Sequence, residues 1–261
     1  MLSTFVFRGA TIAYSTKGKG RTILLIHGFL GAKEIWKEFE SRLAKNFKVI
    51  SIDLPGHGQS ECIGYVHNME LLAECCKNLL THLSIRKAVV VGHSLGGYVS
   101  LAFGEKFPDS VVGLMLVNST AKGDSKERKK SRDQLIKLVK KDRAKVLASL
   151  VPSFFSLKNR NTTSQIKSYL NMANNCNEQA IIATAEGMKI RNEREIVLKF
   201  APYQYHYIIG VHDSILNSEQ LKKETQIGPN GSYSLVEDAS HMSPMESKEQ
   251  VFKAIKSFSK R

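Results

Sequence analysis

The chain has 261 residues, 42% hydrophobic and 24% charged, with 18 Gly, 6 Pro and 4 Cys. That is enough for one well-filled core, and the mix excludes a disordered chain, a collagen-like repeat and a small disulfide scaffold. Lys and Arg number 38 against 24 Asp and Glu, a formal charge of +14, which favours anions in general and says nothing about fold.

The N-terminal MLSTFVFRGATIAYS lacks a basic start followed by an apolar run of signal-peptide length. No stretch approaches the ~18–20 uninterrupted apolar residues of a membrane span. A cytoplasmic protein with free thiols is expected. Cys62, Cys75, Cys76 and Cys176 form no paired CxxC spacing, so no metal cluster is expected. Thr4 to Phe7 and Thr11 to Tyr14, split by Arg8-Gly9, predict a hairpin. Apolar runs at Thr22 to His27, Phe47 to Asp53, Ala88 to His93, Val111 to Asn118 and Tyr205 to Gly210 read as buried strands, and Tyr233 to Glu237 as a more polar one. Helical periodicity runs through Lys33 to Ala44, Met69 to Leu83, Leu95 to Lys106 and Glu246 to Phe258. Strand and helix in alternation predict an α/β sheet with covered faces, mixed because the hairpin adds an antiparallel edge.

The alternation stops after Asn118. Residues 121–200 hold no buried strand, only helical pieces at Asp133 to Leu150, Thr163 to Met172 and Gln179 to Met188. An insert of about 80 residues is too long for a loop, so it predicts a helical cap. The core is then formed by residues 1–120 and 201–261.

Chemistry concentrates at Val91-Gly92-His93-Ser94-Leu95-Gly96-Gly97, directly after a strand and opening a helix. Glycines on both sides let the chain reverse sharply and present the Ser94 hydroxyl at the carboxyl edge of the sheet, at the positive end of the following helix. A nucleophilic serine needs a base, and the base an orienting acid. Asp213, after the strand ending at Gly210, and His241, after the last strand, supply them in the order serine, aspartate, histidine. His212 points the opposite way from its neighbour Asp213, and Glu237 and Asp238 lie too near His241 to face its far nitrogen. Donors for a developing oxyanion are expected from the Leu95 amide and from Phe29 in Ile26-His27-Gly28-Phe29, where Gly28 permits close approach. His27 and His57 read as structural, and Asp53 to Gly58 as a rigid turn outside the chemistry.

These blocks resemble the α/β-hydrolase superfamily, in the branch with the H-G-F loop, the D-L-P-G-H-G turn and the G-H-S-L-G-G elbow. The resemblance implies an eight-stranded, mostly parallel sheet with a helical cap between the sixth and seventh strands. It implies a Ser94–His241–Asp213 triad, an oxyanion hole from Phe29 and Leu95, and neither metal nor organic cofactor. The expected function is a serine esterase that cleaves a small carboxylic ester through an acyl-enzyme. Relatives with a carboxylate nucleophile are excluded by Ser94. Lyases of menaquinone biosynthesis usually carry Tyr and Arg where His93 and Tyr98 stand here. Cofactor-free perhydrolases share the triad and are not separated by motif. A ligand-binding receptor or scaffold with vestigial hydrolysis is the alternative from another class.

Residues 121–145 carry eleven Lys or Arg and four Asp or Glu with no aromatic residue among them, so base stacking and nucleic-acid binding are not expected. A solubilising helix face is the plain reading; a membrane-surface role and recruitment of an anionic substrate compete with it. Phe29, Phe154, Phe155, Met172, Met188 and Met242 are candidates for the substrate pocket. Monomer and dimer are both compatible with the sequence.

Overall fold

A computed structural model describes residues 3–156 and 164–261. The chain opens with β1 (Ser3–Phe7) and β2 (Ala10–Lys17), joined through Arg8 and Gly9, both at positive φ. Two left-handed residues make the two-residue turn whose twist suits a hairpin. Then come β3 (Thr22–Ile26), a 3₁₀ turn (Lys33–Trp36) running into α1 (Lys37–Leu43), β4 (Lys48–Ile52), α2 (Met69–His82), β5 (Ala88–His93), α3 (Leu95–Lys106) and β6 (Val111–Val117). After the segment that follows β6 come β7 (Gln204–Gly210), α8 (Ser218–Glu224), β8 (Gly231–Val236), α9 (Ser243–Glu246) and α10 (Lys248–Lys260).

The eight strands form one sheet in the order β1-β2-β4-β3-β5-β6-β7-β8. β1 and β2 pair antiparallel and β2 runs antiparallel to β4; every other pairing is parallel. This is the mixed, mostly parallel sheet expected from the apolar runs. The reason is visible in burial: every residue of β3 and β5 is buried, because helices cover both faces, while β8 at the edge is largely half-exposed. Trp36 is fully buried in the core. The parallel strands all end on one side, and the loops after β3, β5, β6, β7 and β8 meet there.

Between β6 and β7 lie α4 (Lys126–Leu150), a 3₁₀ turn (Val151–Phe154), α5 (Ser164–Asn175), α6 (Glu178–Lys189) and α7 (Glu195–Phe200). α4 breaks at Asp142, which leaves helical geometry and accepts the Lys145 N–H at 3.0 Å, capping the second half. The helix predicted from Thr163 begins at Ser164 among the described residues; Thr163 itself lies outside them. α7 and α8 are not anticipated by the sequence reading. No helix among the described residues is long and apolar enough to cross a membrane.

Candidate active site

Ser94 sits between β5 and α3 with φ 51° and ψ −113°, a left-handed backbone that side chains rarely adopt. The turn tolerates it because its neighbours are small. A Cβ on Gly92 would overlap the Gly96 carbonyl, and one on Gly96 the Ile26 carbonyl, so both positions exclude larger residues. Ser119 Oγ donates to the Ser94 carbonyl at 2.8 Å and braces the reversal from the β6 side.

His241, in the loop after β8, brings Nε2 to 2.8 Å from Ser94 Oγ. Its Nδ1 lies 2.9 and 3.1 Å from the two oxygens of Asp213, in the loop after β7. The Asp213 side chain is wholly buried. Burial alone would raise its carboxyl, but the His241 ring beside it and hydrogen bonds from His241, Asn118 and Ile215 outweigh that, and the group is held below the usual carboxylate range. An ionised Asp213 keeps the Nδ1 proton between itself and the ring, leaving the Nε2 lone pair for the serine hydroxyl. The three residues predicted from the sequence are thus brought together. Their rivals are not: His212, Glu237 and Asp238 are exposed.

Further residues shape this array without having been anticipated. Asn118, at the end of β6 with φ 46°, donates Nδ2 to Asp213 Oδ2 at 2.9 Å and to the Ser240 carbonyl at 3.1 Å. Its Oδ1 accepts from Ser243 Oγ at 2.5 Å, so one amide ties the acid loop to both sides of His241. Ile215 and Leu216 N–H groups donate to Asp213 Oδ1 at 2.8 and 3.0 Å. Glu246 accepts the Ser240 N–H at 2.9 Å and the Ser156 N–H at 2.7 Å, joining the histidine loop to the segment before α5. The signal for Asn118 was available: a polar residue closing an otherwise apolar strand.

The loop after β3 approaches closely. A Cβ on Gly28 would stand 2.7 Å from His93 Nδ1 and 3.3 Å from Ser94 Cβ, hence glycine there. Neither the Phe29 nor the Leu95 N–H donates to another group among the described residues. The Phe29 carbonyl accepts from Tyr169 Oη at 2.7 Å, so α5 pins this loop from above. Burial lowers the pKa of His27 to about 4, of His57 to about 3 and of His93 to about 3. Each is neutral and has a structural partner: His27 Nε2 accepts the Leu54 N–H at 3.0 Å, His57 Nδ1 lies 3.1 Å from the Pro55 carbonyl, and His93 Nε2 lies 2.8 Å from the His241 carbonyl. Asp53 is likewise engaged, with Lys33 Nζ at 2.6 Å and the Lys33 N–H at 2.7 Å.

A cavity of about 320 Å³ opens over Ser94 and His241. Its apolar wall includes Phe29, Tyr98, Phe154, Tyr169, Met188 and Met242. The Phe154 ring stands 6.1 Å from the His241 ring. Phe155 and Met172 do not line it, which corrects the sequence expectation for both. Phe155 is fully buried with its ring edge-on to Tyr169, and Met172 is half-buried and packs against the core. Helical periodicity shows that such residues are covered, not what covers them. Among the described residues no three His, Cys, Asp or Glu side chains are gathered to hold a metal ion.

Residues 21–248 match the alpha/beta hydrolase fold family. Among solved structures, the chain is 30% identical to a thermophilic esterase from Thermogutta terrifontis, with a TM-score of 0.91 and coverage of 98% of this chain and 96% of that one. An enol-lactonase from Burkholderia xenovorans LB400 has the same fold at 20% identity, with a TM-score of 0.91 and coverage of 99% and 100%. The dihydrolipoyllysine-residue acetyltransferase component of the acetoin cleaving system of Pseudomonas putida is 30% identical over 247 residues, 90% of this chain. This chain spans only 62% of that relative's length. With the sheet order, the loop convergence and a family match over nearly its whole length, the chain belongs to the alpha/beta hydrolase fold family.

Proposed function

We propose that the protein is a serine esterase that hydrolyses a small carboxylic ester through an acyl-enzyme. The observation that carries this reading is the continuous array Asp213–His241–Ser94, with contacts of 2.9 and 2.8 Å, on the floor of a largely apolar cavity. Ser94 Oγ attacks the ester carbonyl carbon while its proton passes to His241 Nε2. Negative charge develops on the carbonyl oxygen, where the Phe29 and Leu95 N–H groups and the positive end of α3 stabilise it. When the intermediate collapses, His241 returns its proton to the departing alcohol. Water then enters, His241 deprotonates it, and the acyl group leaves Ser94 as the free acid. Asp213 holds the imidazole tautomer throughout and stabilises the imidazolium.

Residues 121–200 act as one cap in this reading. They supply the cavity's roof through Phe154, Tyr169 and Met188 and keep water away from the oxyanion. The esterase description of the 30% identical relative, which is nearly equal in length, supports the same chemistry. Steady-state turnover of short p-nitrophenyl esters tests it. Wild type should turn over repeatedly, and Ser94→Ala should fall to a residual rate within about 10³–10⁴-fold of the uncatalysed one. Equal turnover in the two proteins would remove Ser94 from the chemistry.

A further inference from the structure

The basic stretch at residues 121–145 is divided by helical phase. Lys126, Lys129, Lys130, Lys137, Lys140 and Lys141 are exposed on α4. Arg128, Ser131, Arg132 and Leu135 share one face by their spacing of three and four, and that face lines the cavity over Ser94. The charge that could meet a substrate is therefore arginine, and the lysines face solvent.

The local ionic balance is positive. Arg132 Nε donates to Asp124 Oδ2 at 3.1 Å, and Asp124, itself buried, also takes Arg191 Nη1 at 2.5 Å. Arg128 Nη2 donates to the Ile215 carbonyl at 2.6 Å, and no carboxylate among the described residues pairs with it. Three guanidinium groups thus stand against one carboxylate. Asp213 is wholly buried against His241 and Asn118, and neither Asp nor Glu is among the described residues that line the cavity over Ser94. Arg128 and Ile215 also border a second cavity of about 320 Å³, lined by Thr120, Lys122, Ser125, Asn217 and Gln220. Beside its apolar lining the cavity thus holds Arg128, half-buried and paired with no carboxylate among the described residues, whose guanidinium carries donors beyond the one given to Ile215 and suits a carboxylate.

We infer, resting on the serine-esterase reading, that the substrate is an ester bearing a second, free carboxylate remote from the scissile bond. Arg128 and Arg132 hold that carboxylate, and Phe29, Phe154 and Met188 hold the apolar segment between it and the reacting carbonyl. The acyl transfer is unchanged: the ester C–O bond breaks, the Ser94 ester forms and is hydrolysed, and the remote carboxylate takes no part in bond making.

The experiment compares kcat/KM for matched anionic and neutral esters in two arms. In the first the charge is on the acyl side: p-nitrophenyl monoesters of succinate, glutarate and adipate against p-nitrophenyl esters of neutral acids of matched length. In the second it is on the leaving group: 4-carboxyphenyl against 4-carbamoylphenyl butyrate. Wild type should prefer the anion in one arm by roughly 10- to 100-fold, the range set by charge-assisted hydrogen bonds. Arg132→Gln and Arg128→Gln should each reduce that ratio several-fold. A variant with Lys129, Lys130, Lys140 and Lys141 all changed to Gln should keep it. Arg128→Gln could disturb the Ile215 turn beside Asp213; Arg132→Gln leaves Asp124 paired with Arg191 and carries the test alone. Fluorophosphonate labelling verifies that Ser94 and His241 are assembled in each variant. A ratio near one in both arms, in a wild type that labels and turns over neutral esters, overturns this inference and leaves the esterase reading standing. Equal loss of the ratio in the lysine variant overturns it too, since the preference would then come from the long-range field. Absence of both labelling and turnover defeats the esterase reading and this inference with it.

Discussion

Taking the protein from about pH 7.5 to about pH 5 should remove roughly 6 kcal/mol of folding stability through three histidines packed around the active site. His27, His57 and His93 are each no more than 1% exposed, and burial lowers their pKa to about 4, 3 and 3. In the unfolded chain each titrates near 6.5. Between about pH 4 and 6.5 the unfolded state therefore binds more protons, so this stability is full above 6.5 and is lost as pH falls through that window. At about pH 5 each histidine accounts for about 2 kcal/mol, and three together rival the ~5–15 kcal/mol that holds a domain folded. Glu224 opposes them in part: burial raises its carboxyl, so the folded state takes up that proton first. His67 and His206, which burial lowers to about 4, add losses of the same sign in the same window, whereas Asp124 and Asp213, held below the usual carboxylate range, add losses only at lower pH. Urea unfolding at the two pH values, followed by the fluorescence of the single, buried Trp36, measures the difference. His57→Gln should shrink it by about 2 kcal/mol. Stabilities agreeing within about 1 kcal/mol at the two pH values, or an unchanged difference in H57Q, would refute the reasoning.

Asp213→Asn should lower kcat by as much as ~10⁴-fold, the scale set by losing the same tautomer in a serine protease of another fold. Asn118→Ala removes one of the donors to Asp213 and should lower kcat by about 10- to 100-fold with KM little changed, a split that separates positioning from substrate binding. A series of acyl chain lengths should shift toward longer chains in Phe154→Ala, by about 1–3 kcal/mol per methylene accommodated, because that ring lines the cavity. The same series should keep its profile in Met172→Ala, whose side chain lies outside it.

What could be read from the chain follows physical range. The Ser94 elbow is local: two glycines, an apolar strand before and a helix after fix its geometry within a few residues, and α3 is predicted at its observed bounds, Leu95–Lys106. Asp213 and His241 are found because parallel strands deliver their loops to one edge, so chain order stands in for proximity. Tyr169 and Arg128 lie beyond that logic. Both come from the segment between β6 and β7 and act on the Phe29 carbonyl and at the cavity wall, and no periodicity encodes which element packs opposite. Phe155 and Met172 mislead for the same reason. α8 carried a local signal that was missed: the Asn217 side chain accepts the Gln220 N–H at 2.9 Å, an N-cap followed by Ser218-Glu219-Gln220.

The central claim is that Ser94 is acylated. It is tested most directly by quenching the reaction with p-nitrophenyl acetate in its first turnovers and measuring the intact and peptide masses. The acetyl group should be found on Ser94 in wild type, disappear in Ser94→Ala, and form more slowly in Asp213→Asn. Sustained ester turnover with no acyl group on Ser94, or with the group on another residue, would contradict the account.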